Sequence, residues 1–294
     1  MRKQFVNTFE SLISTDENLV LLLGDIGVFG FRNSFTKFPE RVMNVGVLEQ
    51  STVGMAAGLA RMGMNPVIHT IAPFLVERAY EQIKVDFGYQ KLGCNLVSVG
   101  GSYDYAALGC THHCPGDVGV LQNIPGVEII VPGHHLEFDS LFKQAYDNGN
   151  PTYFRLSERC NEVSNKVIFG KANLIKVGKK ATVIAIGPVL DKVIEATKYH
   201  DVDVLYYSTV LPFDNDALIK SLRTKSKILV VEPFYTGTMS HLILSSLPKK
   251  AVELTNIGVP REFLRKYGVA EDHDNAIGLT VENIEKKLGE LING

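Results

Sequence analysis

Cysteine and long apolar runs are both scarce in this sequence. Only four of the 294 residues are cysteines, too few to build a disulfide scaffold in a chain of this length. No apolar stretch approaches the ~20 residues of a membrane-spanning helix. The N-terminal MRKQFVNTFESLIS lacks both a continuous apolar core and a small-residue cleavage site, so no secretory signal is visible. These absences predict a cytoplasmic protein that is not bound to membranes.

A strong charge of either sign is also missing. The chain carries 30 basic and 32 acidic residues, for a formal net charge of −2, and this balance favours neither nucleic acid nor an anionic membrane as a partner. Hydrophobic residues make up 45% and charged residues 21%, which is typical of a globular protein. The length exceeds one ordinary core and suits two domains.

Apolar runs and helical patterns alternate along the chain. NLVLLLGD and PVIHTI have the length and composition of buried strands, whereas EQSTVGMAAGLARMG is predicted to be a helix. FLVERAYEQIKVDFGYQ is predicted to be another helix. This alternation predicts parallel sheets covered by helices on both faces.

A polar, lysine-rich segment, SERCNEVSNKVIFGKANLIKVGKK, interrupts the alternation and is predicted to be a linker followed by a hairpin. The alternation then resumes, and VPREFLRKYG and VENIEKKLGELI are predicted to be helices near the C-terminus. The predicted fold class is therefore α/β, with two consecutive three-layer domains and mostly parallel sheets. We place the domains at residues 1–160 and 165–294.

The segment Cys110-Thr111-His112-His113-Cys114 contains four side chains that could ligate a metal. Structural zinc sites usually draw their ligands from two separated pairs, but here all four fall within five residues and no second pair follows. We therefore predict no metal ligands. A loop that presents one imidazole for proton transfer or hydrogen bonding is the favoured interpretation.

Further polar residues stand where strands end. His134 and His135 lie at a strand-to-helix turn and are predicted to form a solvated helix start rather than a site. Arg155 and Arg159 follow the last strand of the first domain, where ligands of parallel sheets collect. A solvated position at the domain junction fits both arginines equally well.

Two acidic residues are harder to assign. Asp25 belongs to Gly-Asp-Ile-Gly after the first strand, which matches neither G-x-G-x-x-G nor G-x-x-x-x-G-K-[ST], so a strand-end turn is the ordinary interpretation. Glu49 stands where the apolar NVGVL gives way to a small-residue helix. Ionised carboxylates are rarely buried without a partner, so the pattern raises the question of what Glu49 contacts.

The run FPERVMNVGVLEQSTVGMAAGLARMGMNPVI resembles the pyrimidine-binding domain of the transketolase family. That family's pattern is close to FP-[DE]-R, then G-I-A-E-Q, then A-A-G-L-A-x-x-G. The likeness continues in order through three further motifs: PFLVERAYEQI, GCTHH and NIPGVEIIVPG. GKKATVIAIG and KILVVEP resemble the family's C-terminal domain, so the resemblance covers almost the whole chain.

The resemblance implies thiamine diphosphate as the cofactor and answers the question about Glu49. In the family this glutamate hydrogen-bonds N1′ of the aminopyrimidine ring, which activates the coenzyme. Phe74 matches the phenylalanine that stacks on the ring. His112 matches the histidine of the G-x-T-H loop, which faces the substrate. The remaining candidates for cofactor contact are Arg78, Tyr80 and Asp25.

The resemblance also implies a partner. Full-length members carry an N-terminal domain that holds diphosphate and Mg²⁺ through a GDG motif, and here Ile26 occupies the third position of that motif. This chain starts at the pyrimidine-binding domain and is similar to the second subunit of a split transketolase. We therefore expect an N-terminal diphosphate-binding subunit that holds most of the Mg²⁺ site, an α2β2 heterotetramer, and no activity from this chain alone.

Departures from the family pattern bear on the small-molecule substrate. Leu108 replaces a sugar-contacting aspartate, Gly100 or Gly101 a phosphate-binding His or Arg, and Glu158 an arginine. Aliphatic residues cannot hold a phosphate dianion as arginine does, so the substrate is predicted to be an atypical sugar or a small 2-oxo acid. Two alternatives stay open: the β subunit of a 2-oxo acid dehydrogenase E1 component, and a non-catalytic structural or regulatory subunit.

Overall fold

A computed structural model describes residues 1–294, and the chain forms two mostly parallel sheets. The strands, in chain order, are β1 (Leu19–Leu23), β2 (Val42–Asn44), β3 (Asn65–Ile71), β4 (Cys94–Val99), β5 (Glu128–Ile130), β6 (Pro151–Arg155), β7 (Asn173–Lys176), β8 (Thr182–Ile186), β9 (Asp203–Tyr207), β10 (Thr209–Leu211), β11 (Lys227–Tyr235) and β12 (Glu253–Val259). The seven-stranded sheet has the order β10-β5-β6-β4-β3-β1-β2, and the five-stranded sheet has the order β12-β11-β8-β9-β7.

Helices cover the sheets. They are α1 (Arg2–Ile13), α2 (Arg32–Lys37), α3 (Glu49–Arg61), α4 (Tyr80–Gln82), α5 (Asp117–Leu121), α6 (His135–Ala145), α7 (Leu190–Thr197), α8 (Asn215–Ser221), α9 (Ser240–Ser245), α10 (Ala270–Ile277) and α11 (Val281–Asn293). This architecture confirms the predicted α/β class. None of the helices combines the length and the apolar character that a bilayer span requires.

Strand β1 shows why the sequence folds this way. All five residues of LVLLL are buried, and alternate side chains enter the two different core clusters on opposite faces of the sheet. A strand buried on both faces needs a continuous apolar run rather than alternation with polar residues. The apolar periodicity of the helices on either face completes the three layers.

The sheets do not divide the chain as simply as the predicted domains do. Strand β10, which follows β9 in the second half of the chain, pairs antiparallel with β5 at the edge of the seven-stranded sheet. Strand β7 pairs antiparallel with β9 at the edge of the five-stranded sheet, so the predicted hairpin is a single edge strand. The boundary at residues 160–165 stays a prediction.

Two helices differ from their predictions. The predicted helix over FLVERAYEQIKVDFGYQ forms, but Phe74–Arg78 and Ile83–Tyr89 adopt π-helical turns, which are frequent at functional sites. The predicted helix VPREFLRKYG is wrong, because residues 260–269 form no helix. Phe263 and Tyr267 have helical spacing but are 67% and 70% exposed, so a helix here would have no core to pack against. The helix begins instead at Ala270, where the Asp272 carboxylate accepts a hydrogen bond from the Val269 N–H.

Candidate functional site

Glu49 is the first residue of helix α3, directly after the loop that leaves β2. The usual burial pattern is reversed here, because the charged Glu49 is only 3% exposed whereas the apolar Val47 and Leu48 are 60% and 57% exposed. Gly46 makes this turn with a left-handed φ of 82°, a conformation that favours glycine. The backbone thus aims a carboxylate inwards and two apolar side chains outwards.

One oxygen of the Glu49 carboxylate is paired and the other is not. Arg78 Nη1 donates to Oε2 at 2.8 Å, while Oε1 is buried with no hydrogen-bond partner. The two partners also differ in exposure, because the Arg78 side chain is 43% exposed and that of Glu49 only 2%. A buried acceptor without a donor costs about 1–3 kcal/mol, so a donor that reaches Oε1 would bind favourably.

Phe74 and His112 lie beside this pair. The Arg78 guanidinium stacks 4.3 Å from the centre of the Phe74 ring, and the His112 ring meets Phe74 edge-on with centroids 5.2 Å apart. Arg78 therefore presents a planar cation to an aromatic face and to a carboxylate at once. An aminopyrimidine ring, which is also flat and can share a proton with a carboxylate through N1′, suits the same two surfaces.

The two adjacent histidines of the GCTHH loop diverge. His112 hydrogen-bonds through Nδ1 to Thr111 Oγ1 at 2.9 Å and faces Phe74. His113 packs against His273 of α10 with ring centroids 5.4 Å apart, and burial lowers its pKa. The flanking cysteines also separate, since Cys110 is exposed and Cys114 is buried. One imidazole is thus presented to the site, and the other belongs to the packing against α10.

Asp25 and Tyr80 make contacts other than with the Glu49–Arg78 pair. Asp25 is exposed and exchanges hydrogen bonds with Asn44 at the end of β2, its N–H donating to Asn44 Oδ1 at 3.0 Å. Tyr80 is half-buried and packs against an apolar core cluster. Neither side chain hydrogen-bonds to Glu49 or Arg78, so their predicted cofactor contacts stay predictions.

Arg155 at the end of β6 is buried, so the solvated role allowed for it is wrong, whereas Arg159 is half-buried, with 21% of its side chain exposed. Arg155 is 1% exposed and donates through Nε to Asp117 at 2.7 Å. Arg159 Nη1 donates to Asp274 at 2.8 Å, and its guanidinium stacks on Tyr103. Sequence reasoning missed both carboxylates, because they lie 38 and 115 positions away from their arginines.

The structure also shows the surroundings of the positions at which the family pattern has substrate-binding residues. Leu108 is 53% exposed in the loop before His112. A Cβ added to Gly101 would approach the Arg155 guanidinium to 2.8 Å, so this position has no room for a side chain. With Arg159 committed to Asp274, none of these positions offers a free cation.

Comparison with known proteins decides the family. Residues 1–162 match the protein family described as "Transketolase, pyrimidine binding domain". The chain belongs to the transketolase family. It is 38% identical over 98% of its length to an uncharacterized 33.6 kDa protein of the fasciation locus of Rhodococcoides fascians, covering 93% of that protein. It is 30% identical over 99% of its length to a subunit of the apulose-4-phosphate transketolase of Phocaeicola vulgatus, covering 97% of that subunit.

A solved structure agrees with this transketolase assignment at the level of the fold. The chain superposes with a TM-score of 0.87 on a protein described as a split gene transketolase, inactive beta4 tetramer, at 23% identity, with 99% of this chain and 97% of the other covered. Membership implies thiamine diphosphate as the cofactor. The residues present fit it, since the unpaired Glu49 Oε1 and the Phe74 ring supply the acceptor and the apolar face that an aminopyrimidine needs.

Proposed function

We propose that this chain is the second, pyrimidine-binding subunit of a thiamine-diphosphate-dependent transketolase-like enzyme that transfers a ketol or acyl unit between carbonyl compounds. The single observation that carries the proposal is the buried, unpaired Oε1 of Glu49 beside the Phe74 ring. A buried acceptor without a donor lowers stability, and its position on a carboxylate whose partner Arg78 stacks on an aromatic ring suits a ligand.

Each residue of the site has a distinct task in this proposal. Thiamine diphosphate, when bound, supplies a carbon nucleophile and an electron sink. Glu49 would share a proton with N1′ of the pyrimidine ring, accepting the hydrogen bond when N1′ carries the proton. Phe74 provides the flat face, and Arg78 positions the Glu49 carboxylate through Oε2 and leaves Oε1 free for the ring. His112 donates a hydrogen bond or proton to the substrate oxygen.

The partner subunit is also part of the proposal. The relative in Phocaeicola vulgatus is named as one subunit of a transketolase, and the GDG motif that would bind diphosphate and Mg²⁺ reads Gly-Asp-Ile here. Val47 and Leu48 stand exposed next to buried Glu49, which suits a surface that another subunit covers. We infer an α2β2 heterotetramer in which the N-terminal subunit supplies the diphosphate and Mg²⁺ half of the site.

The substrate we infer differs from an ordinary pentose phosphate. Leu108 is exposed and apolar, and Arg159 is held by Asp274, so these positions offer neither the carboxylate for a sugar hydroxyl nor the guanidinium for a phosphate. The relative in Phocaeicola vulgatus is itself named for apulose 4-phosphate. A modified sugar or a small 2-oxo acid fits the altered positions of this chain.

The decisive experiment compares Glu49→Gln with the wild-type chain, each reconstituted with its diphosphate-binding partner. We expect thiamine diphosphate affinity and carbonyl-transfer turnover to fall in Glu49→Gln and to persist in the exposed control Glu40→Gln. Equal cofactor affinity in both variants would contradict the proposal. Turnover only with a 2-oxo acid and a lipoyl carrier would reassign the chain to a dehydrogenase β subunit. Turnover by this chain alone would refute the partner requirement.

A further inference from the structure

A second group of polar side chains lies at the start of helix α6, and it shares no residue with the Glu49 site. His134, His135 and Cys160 place one candidate ligand atom each within 4.8 Å of one another. The imidazole rings of the two histidines are 4.0 Å apart between centroids. Cys160 Sγ lies 3.7 Å from Nδ1 of His135. The helix start predicted for the histidines is confirmed, but His134 is only 8% exposed.

The backbone holds these three residues together. Asn161, the neighbour of Cys160, donates its N–H to the Gly133 carbonyl at 2.8 Å. The Gly133 N–H in turn donates to Glu137 at 3.0 Å and to the Tyr206 hydroxyl at 2.9 Å. The chain on both sides of the cluster is therefore fixed by buried hydrogen bonds. Ligands carried on a fixed backbone need little ordering before they bind.

We propose that His134, His135 and Cys160 form a Zn²⁺ site with a fourth position open to water. Two imidazole nitrogens and a thiolate are a donor set that suits this borderline-soft ion. Zinc bond lengths place tetrahedral ligand atoms roughly 3.4–3.6 Å apart. The 3.7 Å between Cys160 and His135 is close to this spacing, and all three ligand atoms already lie within 4.8 Å of one another, so small side-chain rotations would complete it.

His134 must give up one interaction to bind the metal. Its Nδ1 accepts a hydrogen bond from the Leu136 N–H at 3.2 Å, which caps helix α6. Binding through Nδ1 displaces this long hydrogen bond, and binding through Nε2 requires the other tautomer. A helix cap is a small contribution beside metal coordination. The metal would tie α6 to the segment that leads into the second half of the chain.

The test uses the full chain, reduced, stripped of metal and freed of any histidine tag. Titration with Co²⁺ is expected to reach one equivalent and to produce thiolate-to-metal charge-transfer absorption, and Zn²⁺ is expected to displace the cobalt. Cys160→Ser should abolish that absorption. His135→Ala should weaken binding by about 10-fold or more. The matched control is Cys110→Ser, which removes the other exposed cysteine and should leave both signals intact.

Cysteine alkylation provides a second measurement that needs no variant. Both Cys110 and Cys160 are exposed, so iodoacetamide should label both in the metal-free chain. Zn²⁺ should protect Cys160 and leave Cys110 reactive. Absence of cobalt absorption in the wild-type chain, its persistence in Cys160→Ser, or equal labelling of Cys160 with and without Zn²⁺ would overturn the site.

Discussion

Arg78 hydrogen-bonds Oε2 of Glu49 at 2.8 Å and leaves Oε1 buried without a donor. The same guanidinium stacks on Phe74, so Arg78 joins the carboxylate and the aromatic ring that the proposed pyrimidine site uses. Arg78 thus contacts both Glu49 and Phe74 in the isolated chain.

Arg78→Met should lower the free energy of unfolding of the isolated chain by about 1–3 kcal/mol, because it strands a buried carboxylate. The double variant Arg78→Met/Glu49→Gln should lose less than the sum of the two single variants, since the second change removes the stranded charge. Urea unfolding followed by circular dichroism measures all three. Additive losses would show that the two residues are not coupled.

Phe74→Leu should weaken thiamine diphosphate binding to the reconstituted complex by about 3- to 10-fold, because an aromatic contact contributes about 0.5–1.5 kcal/mol beyond buried area. Phe74→Tyr keeps the aromatic face and should bind nearly as the wild type does. Calorimetric titration with the cofactor distinguishes them. If both variants bind alike, the ring does not stack on Phe74.

His112→Gln should lower the turnover number of the complex by about 10²- to 10⁴-fold, the usual contribution of a positioned acid–base group. Thiamine diphosphate affinity should change little, because His112 meets the Phe74 edge rather than the Glu49 carboxylate. His241, an exposed histidine of helix α9, provides the control His241→Gln. A parallel loss of cofactor affinity in His112→Gln would instead indicate a structural role.

The stability of the chain should fall as the pH is lowered from about 6.5 to about 4. Burial lowers the pKa of His69 in strand β3 to about 4, whereas the unfolded chain protonates near 6.5. Between these values the unfolded state binds the extra proton, so acid favours unfolding, by about 3 kcal/mol across the window. Above pH 6.5 both states are neutral at this residue and its contribution is constant.

His69→Gln should flatten this pH dependence, and the exposed control His241→Gln should retain it. Urea midpoints measured from pH 4 to pH 8 provide the comparison. Because His69 Nδ1 lies 2.9 Å from the Val97 carbonyl, the glutamine amide can replace the donor without leaving that carbonyl unpaired. An unchanged pH profile in His69→Gln would show that other groups dominate the acid response.

The failed helix at VPREFLRKYG and the misjudged Arg155 have a common cause. In each case the local sequence has the expected pattern, but the presence or absence of groups from distant parts of the chain determines whether the segment is helical or the side chain is buried. Phe263 and Tyr267 have helical spacing and no core to face. Arg155 would ordinarily be solvated as a charged side chain, but it is buried because it pairs with Asp117, which lies 38 positions away.

The sequence by itself determined the alternation of strands and helices, the apolar identity of β1, and the family motifs that single out Glu49, Phe74 and His112. These are local properties, because burial periodicity and motif order are written in neighbouring residues. Only the tertiary structure decided that Oε1 of Glu49 is unpaired while Arg78 holds Oε2, and that Cys160 reaches His135. Such contacts join residues 25 or more positions apart, and their geometry depends on how the sheets and helices pack rather than on any local signal.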